Sequence, residues 1–164
     1  MIRYRIAMII STFFLLGKIP FAPGTAGSLG GVLLLFMIGN VSVYAYILLV
    51  MGLCVLGWWS VLVSLEKANT PDPKYIVIDE VVGQAIATAP LIGAEPQNAW
   101  WWYCLSFLLF RLFDIWKPWP ISWVDRLTAS KHISRSGQTA CIICDDVLAG
   151  LAAGICLYFS MQHF

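Results

Sequence analysis

Apolar residues along this chain are gathered into six segments, which are separated by short polar or Gly/Pro-rich connections: 6–16, 28–39, 43–65, 76–94, 99–116 and 140–161. Each of the last four is about long enough, at about 1.5 Å per helical residue, to cross a hydrocarbon core of roughly 30 Å. Segment 6–16 would reach only about 16 Å as a helix, which favours an interfacial or re-entrant position. Segment 28–39 is also short, so it either crosses a thinned region or forms a helical hairpin with 43–65 that turns at Gly39-Asn40. The pattern predicts an all-α integral membrane bundle of about four to five spans plus a short N-terminal segment.

The composition supports a membrane-embedded chain. Of the 164 residues, 60% are hydrophobic and 12% are charged, whereas soluble domains contain about 45–50% and about 25%. A soluble fold of this length could not bury so much apolar surface, so we expect a single membrane-embedded domain over residues 1–164. The formal net charge of +1 and the lack of a basic stripe argue against nucleic-acid binding. No feature of the sequence calls for an obligate protein partner.

Basic residues assign the connections to the two sides of the membrane. They lie at the N-terminus and in the connections 66–75 and 117–135, and they are Arg3, Arg5, Lys67, Lys74, Lys117, Arg126, Lys131 and Arg135. The connection 95–98, EPQN, has none. By the positive-inside rule the basic connections are cytoplasmic and EPQN is outside.

Five of the nine acidic residues lie inside the apolar segments, and they are Asp79, Glu80, Asp114, Asp145 and Asp146. With the predicted topology all five lie near the cytoplasmic ends of three helices. Carboxylates at membrane depth are costly unless they are paired, protonated or coordinated. Arg111 and Lys117, each three residues from Asp114, supply neighbouring cations. The remaining carboxylates favour a hard divalent cation with oxygen ligands, magnesium above all.

Two structural interpretations of these residues compete with the metal site. A single acid near a helix end is commonly an N-cap or a snorkelling group, but adjacent acids on three helices are harder to explain in this way. The CxxC motif at 141–144 resembles half of a zinc site, but the chain has no second Cys/His pair with similar spacing. We therefore expect the cysteines to be packing residues.

A second polar concentration is the connection GKIPFAPGTAGS at residues 17–28. Its glycines and small hydroxyls suit a loop whose backbone N–H groups face an anion before a helix begins, with Ser28 as a candidate cap. A Gly/Pro loop that merely joins two membrane segments has the same composition, so both interpretations stay open.

Four stretches of the sequence resemble the bacterial phosphatidylglycerophosphatase A family of membrane-bound lipid phosphatases. They are PFAPGTAGSLGG (20–31), IVIDEVVGQ (76–84), FRLFDIWKPWPISWVDR (110–126) and DDVLAG (145–150). The resemblance implies magnesium-dependent hydrolysis of phosphatidylglycerophosphate to phosphatidylglycerol and phosphate at the cytoplasmic face of the bacterial inner membrane.

The resemblance also assigns candidate residues. The family's acidic positions are matched by Asp79, Glu80, Asp114, Asp145 and Asp146, which we take as candidates for both metal ligation and catalysis. Candidates for substrate binding are Arg111, Lys117, Thr25, Ser28 and Gly24. We expect bound magnesium to activate water for attack on phosphorus, with Asp146 or Glu80 as general base. Which acid has which role stays open.

The chain departs from the family pattern just before Asp145. Relatives usually carry a glycine-rich stretch and an Ile-Met pair there, whereas this chain reads SGQTACIIC and keeps only Gly137 nearby. This departure puts the affinity or rate in doubt, although the acids themselves are intact. The main alternative function is a membrane transporter or proton-coupled carrier, since buried acids also form proton relays. A carrier predicts acids spread through the membrane depth, whereas this sequence places them at one face.

Overall fold

The computed structural model describes residues 1–39, 41–70, 72–94, 97, 99–128 and 133–163. Over these residues the chain is helical and contains no β-strand, which confirms the all-α expectation. The helices are α1 (Ile2–Ser11), α2 (Pro23–Ile38), α3 (Val43–Ser64), α4 (Ile78–Thr88), α5 (Ala99–Trp116), α6 (Ile121–Thr128) and α7 (Arg135–His163). The described residues also form three short 3₁₀ turns. Leu16–Lys18 lies between α1 and α2, Leu65–Lys67 follows α3, and Ala89–Leu91 follows α4.

Helix α4 lies at the centre of the bundle. Nine of its 11 residues are buried, and it packs against α7, α2, α3 and α5. With about 1.5 Å per residue it is about 16 Å long, which is much shorter than the span predicted for 76–94. The α-helix ends at Thr88 and a 3₁₀ turn containing Pro90 follows, because a proline lacks the N–H that an α-helix interior requires. The predicted connection EPQN lies largely outside the described residues.

The predicted number of membrane spans is not confirmed. Among the described residues, two helical stretches are long and apolar enough to cross a membrane, Val43–Lys67 and Arg135–His163, and Pro23–Ile38 is a shorter apolar helix. The N-terminal helix begins at Ile2 rather than residue 6 and ends at Ser11, where the backbone turns through left-handed Phe13, Phe14 and Leu15. Helix α2 packs mainly along α4, and its Leu35 also shares a core cluster with Tyr46 and Leu49 of α3. Asn40 of the predicted turn lies outside the described residues, so the pairing of 28–39 with 43–65 as a hairpin stays a prediction.

Two glycines allow α4 and α7 to cross at close range. A Cβ atom built on Gly150 of α7 would lie 2.3 Å from the carbonyl oxygen of Gly83 in α4, and one built on Gly83 would lie 2.6 Å from the carbonyl oxygen of Asp146. These neighbours are backbone atoms, which cannot rotate away as a side chain can. The crossing therefore requires glycine at both positions, and it holds the start of α4 beside the aspartates of α7.

Replacing Gly150 by alanine should force the two helices apart. We expect Gly150→Ala to lower the free energy of unfolding by about 1–3 kcal/mol, which is the usual cost of overpacking a close contact. The matched control is Gly52→Ala on α3, where a built Cβ meets nothing within 4 Å and alanine is the better helix former. Thermal unfolding in one detergent, followed by circular dichroism, compares the two variants. An equal response of the two proteins would contradict the close crossing.

Candidate active site

Most of the predicted site residues line one cavity of about 640 Å³. It lies where the beginnings of α2 and α4, the end of α5 and the first half of α7 come together. Seven acidic side chains line it, and they are Asp72, Asp79, Glu80, Asp114, Asp125, Asp145 and Asp146. Three basic side chains line it as well, and they are Lys74, Arg111 and Lys117. The structure thus brings together all five acids that the sequence singled out.

Three of these carboxylates form a tight group. Asp79 and Glu80 lie in the first turn of α4, where negative charge is favoured by the helix dipole, and Asp146 faces them from α7. Oxygen atoms of the three side chains lie within 4.8 Å of one another. Asp79 and Asp146 are only 7% and 4% exposed, so solvent does little to screen their mutual repulsion.

The donor set of this group fits a hard divalent cation. Oδ1 of Asp79 and Oε2 of Glu80 are buried and have no hydrogen-bond partner within the described ranges. Buried carboxylate oxygens without partners are costly, and a cation with oxygen ligands, such as Mg²⁺, would satisfy them. Zinc would prefer nitrogen and sulfur ligands, and Cys141 and Cys144 are free thiols on α7, the first buried and the second exposed. The expectation that the cysteines are packing residues stays a prediction.

Arg111 of α5 links the acids to the start of α2. Its Nη1 atom donates to Oδ2 of Asp114 and to the hydroxyl of Ser28, 3.3 Å away. Its Nε atom is buried and has no partner among the described residues. Asp114 is therefore paired with the guanidinium group of Arg111, and it does not belong to the group of three carboxylates. Its predicted role as a metal ligand stays a prediction.

Lys117 also lines the cavity and is shared by two aspartates. The backbone of Lys117 is left-handed, with φ of 45°, at the turn between α5 and α6. Its Nζ atom donates to Oδ2 of Asp145 at 2.7 Å and to Oδ1 of Asp125. Burial alone would lower the pKa of Lys117, but the two carboxylates more than offset this, so that pKa lies above its ordinary value. Lys117 is thus a fixed cation, and Asp145 is neutralised by it.

The sequence PGTAGS, predicted to be loop, is the first part of α2. The helix begins at Pro23, which suits a first helical position. Gly24 and Thr25 line the cavity, and the amides in a helix's first turn have no intrahelical acceptor. A Cβ atom on Gly24 would lie 2.2 Å from Oε1 of Glu80, so this glycine lets the carboxylate approach the helix start. Ser28 is not a cap: its hydroxyl donates to the carbonyl of Gly24 one turn earlier.

Four polar cavity residues were missed by reasoning from the sequence, and they are Asp72, Lys74, Asp125 and Thr128. Asp125 is the most informative, because it lies within the stretch FRLFDIWKPWPISWVDR and binds Lys117 from α6. Asp125 is eight positions from Lys117 in the sequence. This spacing indicates a contact only when the turn between α5 and α6 is known. Asp72 and Lys74 lie in the polar connection before α4, where a charged residue usually contacts solvent.

The Lys117 pair should contribute measurably to stability. We expect Lys117→Met to lower the free energy of unfolding by about 2–3 kcal/mol, because it leaves the largely buried Asp145 without its cation. Adding Asp145→Asn to that variant should recover part of the loss. Thermal unfolding of the variants in one detergent measures both effects.

The control is an exposed ion pair. Glu66→Gln removes the contact of Arg3 with Glu66, whose side chains are 62% and 39% exposed, and should cost less than about 1 kcal/mol. If Lys117→Met lowers the free energy of unfolding by no more than Glu66→Gln does, the Lys117–Asp145 pair does not stabilise the protein as predicted.

Comparison with known proteins gives a consistent result over nearly the whole chain. The model of the family "Phosphatidylglycerophosphatase A" matches residues 9–161. The chain is 34% identical to phosphatidylglycerophosphatase A of Escherichia coli (strain K12), over 90% of this chain and 79% of the relative. It is 35% identical to phosphatidylglycerophosphatase A of Haemophilus influenzae, over 90% of this chain and 83% of the relative.

A third relative has a different name. The chain is 34% identical to a Bacteroides thetaiotaomicron protein named "Putative phosphatidylinositol-3-phosphatase", over 88% of this chain and 86% of the relative. No solved structure matches the chain significantly. The family match and the two relatives of that name show that this chain belongs to the phosphatidylglycerophosphatase A family, whose members are phosphatases acting on phosphomonoesters.

Proposed function

We propose that this protein is a magnesium-dependent phosphatidylglycerophosphatase, which hydrolyses phosphatidylglycerophosphate to phosphatidylglycerol and phosphate. The observation that carries the proposal is the group of Asp79, Glu80 and Asp146, whose oxygens lie within 4.8 Å of one another in a cavity that also holds Arg111 and Lys117. Such a cavity has ligands for a divalent cation and cations for a phosphate. Family membership supplies the lipid substrate class.

In this proposal Asp79, Glu80 and Asp146 would hold the magnesium. When bound, the ion supplies a Lewis acid for phosphate oxygens and lowers the pKa of water at the site. Arg111 and Lys117 bind the phosphate oxygens, and each is oriented by an aspartate. The first-turn amides of Gly24 and Thr25 add donors at the positive end of the α2 dipole.

A carboxylate of the chain accepts the proton from the attacking water. The candidates are Glu80 and Asp146, since each would offer one oxygen to the ion and keep a second oxygen that can accept a proton. The bond between phosphorus and the glycerol oxygen breaks, and that oxygen takes up a proton to give phosphatidylglycerol. Asp114 and Asp145 act here as partners of Arg111 and Lys117.

The proposed location is the bacterial inner membrane, with a multi-pass chain and the site at the cytoplasmic face. Two helical stretches of sufficient length and apolar character support membrane embedding, and the positive-inside rule supports the orientation. The cavity is lined by Lys74 and Lys117 from connections that this rule assigns to the cytoplasm. The transporter alternative gains no support, since the five acids line one cavity and are not dispersed along the bundle.

Removal of magnesium provides the first test. Purified protein should release phosphate from phosphatidylglycerophosphate with Mg²⁺, lose that activity in EDTA and regain it when Mg²⁺ is restored. Asp79→Asn and Asp146→Asn should each lower kcat/KM by about 100-fold or more, because each removes a ligand from the proposed ion. Glu66→Gln, an acid outside the cavity, is the matched control and should retain wild-type activity. Equal release with and without EDTA would exclude the proposed metal dependence.

A comparison of substrates tests the lipid assignment. The Bacteroides relative's name makes phosphatidylinositol 3-phosphate the informative competitor. We expect kcat/KM to be higher for phosphatidylglycerophosphate, and the two lipids should be compared with the same acyl chains in the same detergent. A higher kcat/KM for phosphatidylinositol 3-phosphate would reassign the substrate and leave the phosphatase chemistry in place.

A further inference from the structure

A shallow, open depression of about 560 Å³ lies along one face of α5. Its lining consists of Arg111 and four apolar residues, which are Leu108, Leu112, Ile115 and Trp116. These four are spaced so that they share one face of the helix, and their exposed fractions lie between 52% and 72%. We call this surface the α5 groove. It is apolar along most of its length and has one cation at its edge.

The α5 groove adjoins the acid cavity. Arg111 and Ile115 line both of them, so a molecule could extend from one into the other past these two side chains. The exposed apolar residues of α3, such as Leu48 and Val55, line neither. The surface of α3 is therefore an ordinary apolar exterior, whereas the α5 groove leads to the candidate active site.

A further cavity also adjoins the acid cavity. It shares Pro23 and Lys74 with the acid cavity and also contains Lys18. It therefore has two lysines in its lining, whereas the α5 groove has a single cation, Arg111.

We propose that the α5 groove binds an acyl chain of the phospholipid whose phosphomonoester lies in the acid cavity. This inference rests on the proposed function and names the surface by which the lipid is held. The chemistry of the substrate follows the same order as the protein surface: an apolar tail, an internal phosphodiester and a terminal phosphomonoester. Arg111 stands at the junction of the two cavities, and its buried Nε donor has no partner among the described residues.

The exposed position of the groove makes it possible to fill it without disturbing the core. Leu112→Trp and Leu108→Trp add bulk where the acyl chain would lie. The measurement is kcat/KM for long-chain phosphatidylglycerophosphate divided by kcat/KM for its water-soluble dihexanoyl analogue. We expect this ratio to fall about tenfold in Leu112→Trp, because displacing even two methylenes from an apolar contact has an effect of this size. The matched control is Leu48→Trp, a leucine of α3 that is 69% exposed, and it should keep the wild-type ratio.

The kinetic measurements distinguish failure of the acyl-chain site from failure of the proposed phosphatase activity. An unchanged ratio in both groove variants, or an equal fall in Leu48→Trp, would overturn the acyl-chain site while the phosphatase activity stands. Failure of the wild-type protein to hydrolyse either substrate would instead count against the proposed function, and the groove is then decided by a binding experiment that needs no turnover.

The binding experiment uses phosphatidylglycerol with a diazirine in one acyl chain, added at equimolar amount to the detergent-purified full chain. After irradiation, mass spectrometry should find the label concentrated in residues 108–116, and Leu112→Trp should abolish it there. Label spread evenly over α2, α3 and α5, or label that persists unchanged in Leu112→Trp, would overturn the proposal.

Discussion

The structure depends on holding three carboxylates together in a space from which water is largely excluded. Two unit charges about 4.8 Å apart repel each other by about 3 kcal/mol at the effective dielectric of a protein. The chain does not relieve this repulsion with its own cations, since Arg111 contacts Asp114 and Lys117 contacts Asp145 and Asp125. Among the described residues, three acids of the cavity thus contact a cation of the protein, namely Asp114, Asp125 and Asp145. The charge of Asp79, Glu80 and Asp146 is left for something that binds, and Oδ1 of Asp145 also has no hydrogen-bond partner in the part of the chain that the structure describes.

Small residues make this arrangement possible. Gly83 and Gly150 bring α4 and α7 into backbone contact, and the same crossing places the carbonyl of Asp146 against α4. Gly24 removes the side chain that would otherwise collide with Glu80. Helix α4 is short and packs against α7, α2, α3 and α5, so the position of its first turn is fixed by these neighbours. The precision of the site therefore comes from close backbone packing, and it does not require a network of hydrogen bonds among the acids.

Much of the site could be predicted from the sequence, because charged side chains within apolar segments are costly unless they are paired or coordinated. The convergence of Asp79, Glu80, Asp114 and Asp146 followed from their positions near the same ends of predicted helices. The sequence did not indicate which acids contact Arg111 or Lys117 and which do not, since the partner of each acid depends on how the helices approach one another in space. Asp125 was missed for this reason: it lies in an amphipathic polar stretch, where an aspartate has no unusual environment until α6 folds against α7. The predicted span at 76–94 was too long because hydropathy does not register the end of the α-helix before Pro90.

The lining of the acid cavity also has a consequence for the order of events. Seven acidic side chains face three basic ones, so with all of them ionised the cavity is strongly electronegative. A phosphomonoester, itself dianionic, is repelled by such a field until divalent cations reverse part of it. In the proposed magnesium-dependent mechanism, the cation would bind before the lipid or together with it, and a low Mg²⁺ concentration would lower lipid binding as well as turnover. In the proposed mechanism, the net charge of the cavity therefore determines whether the lipid substrate can bind.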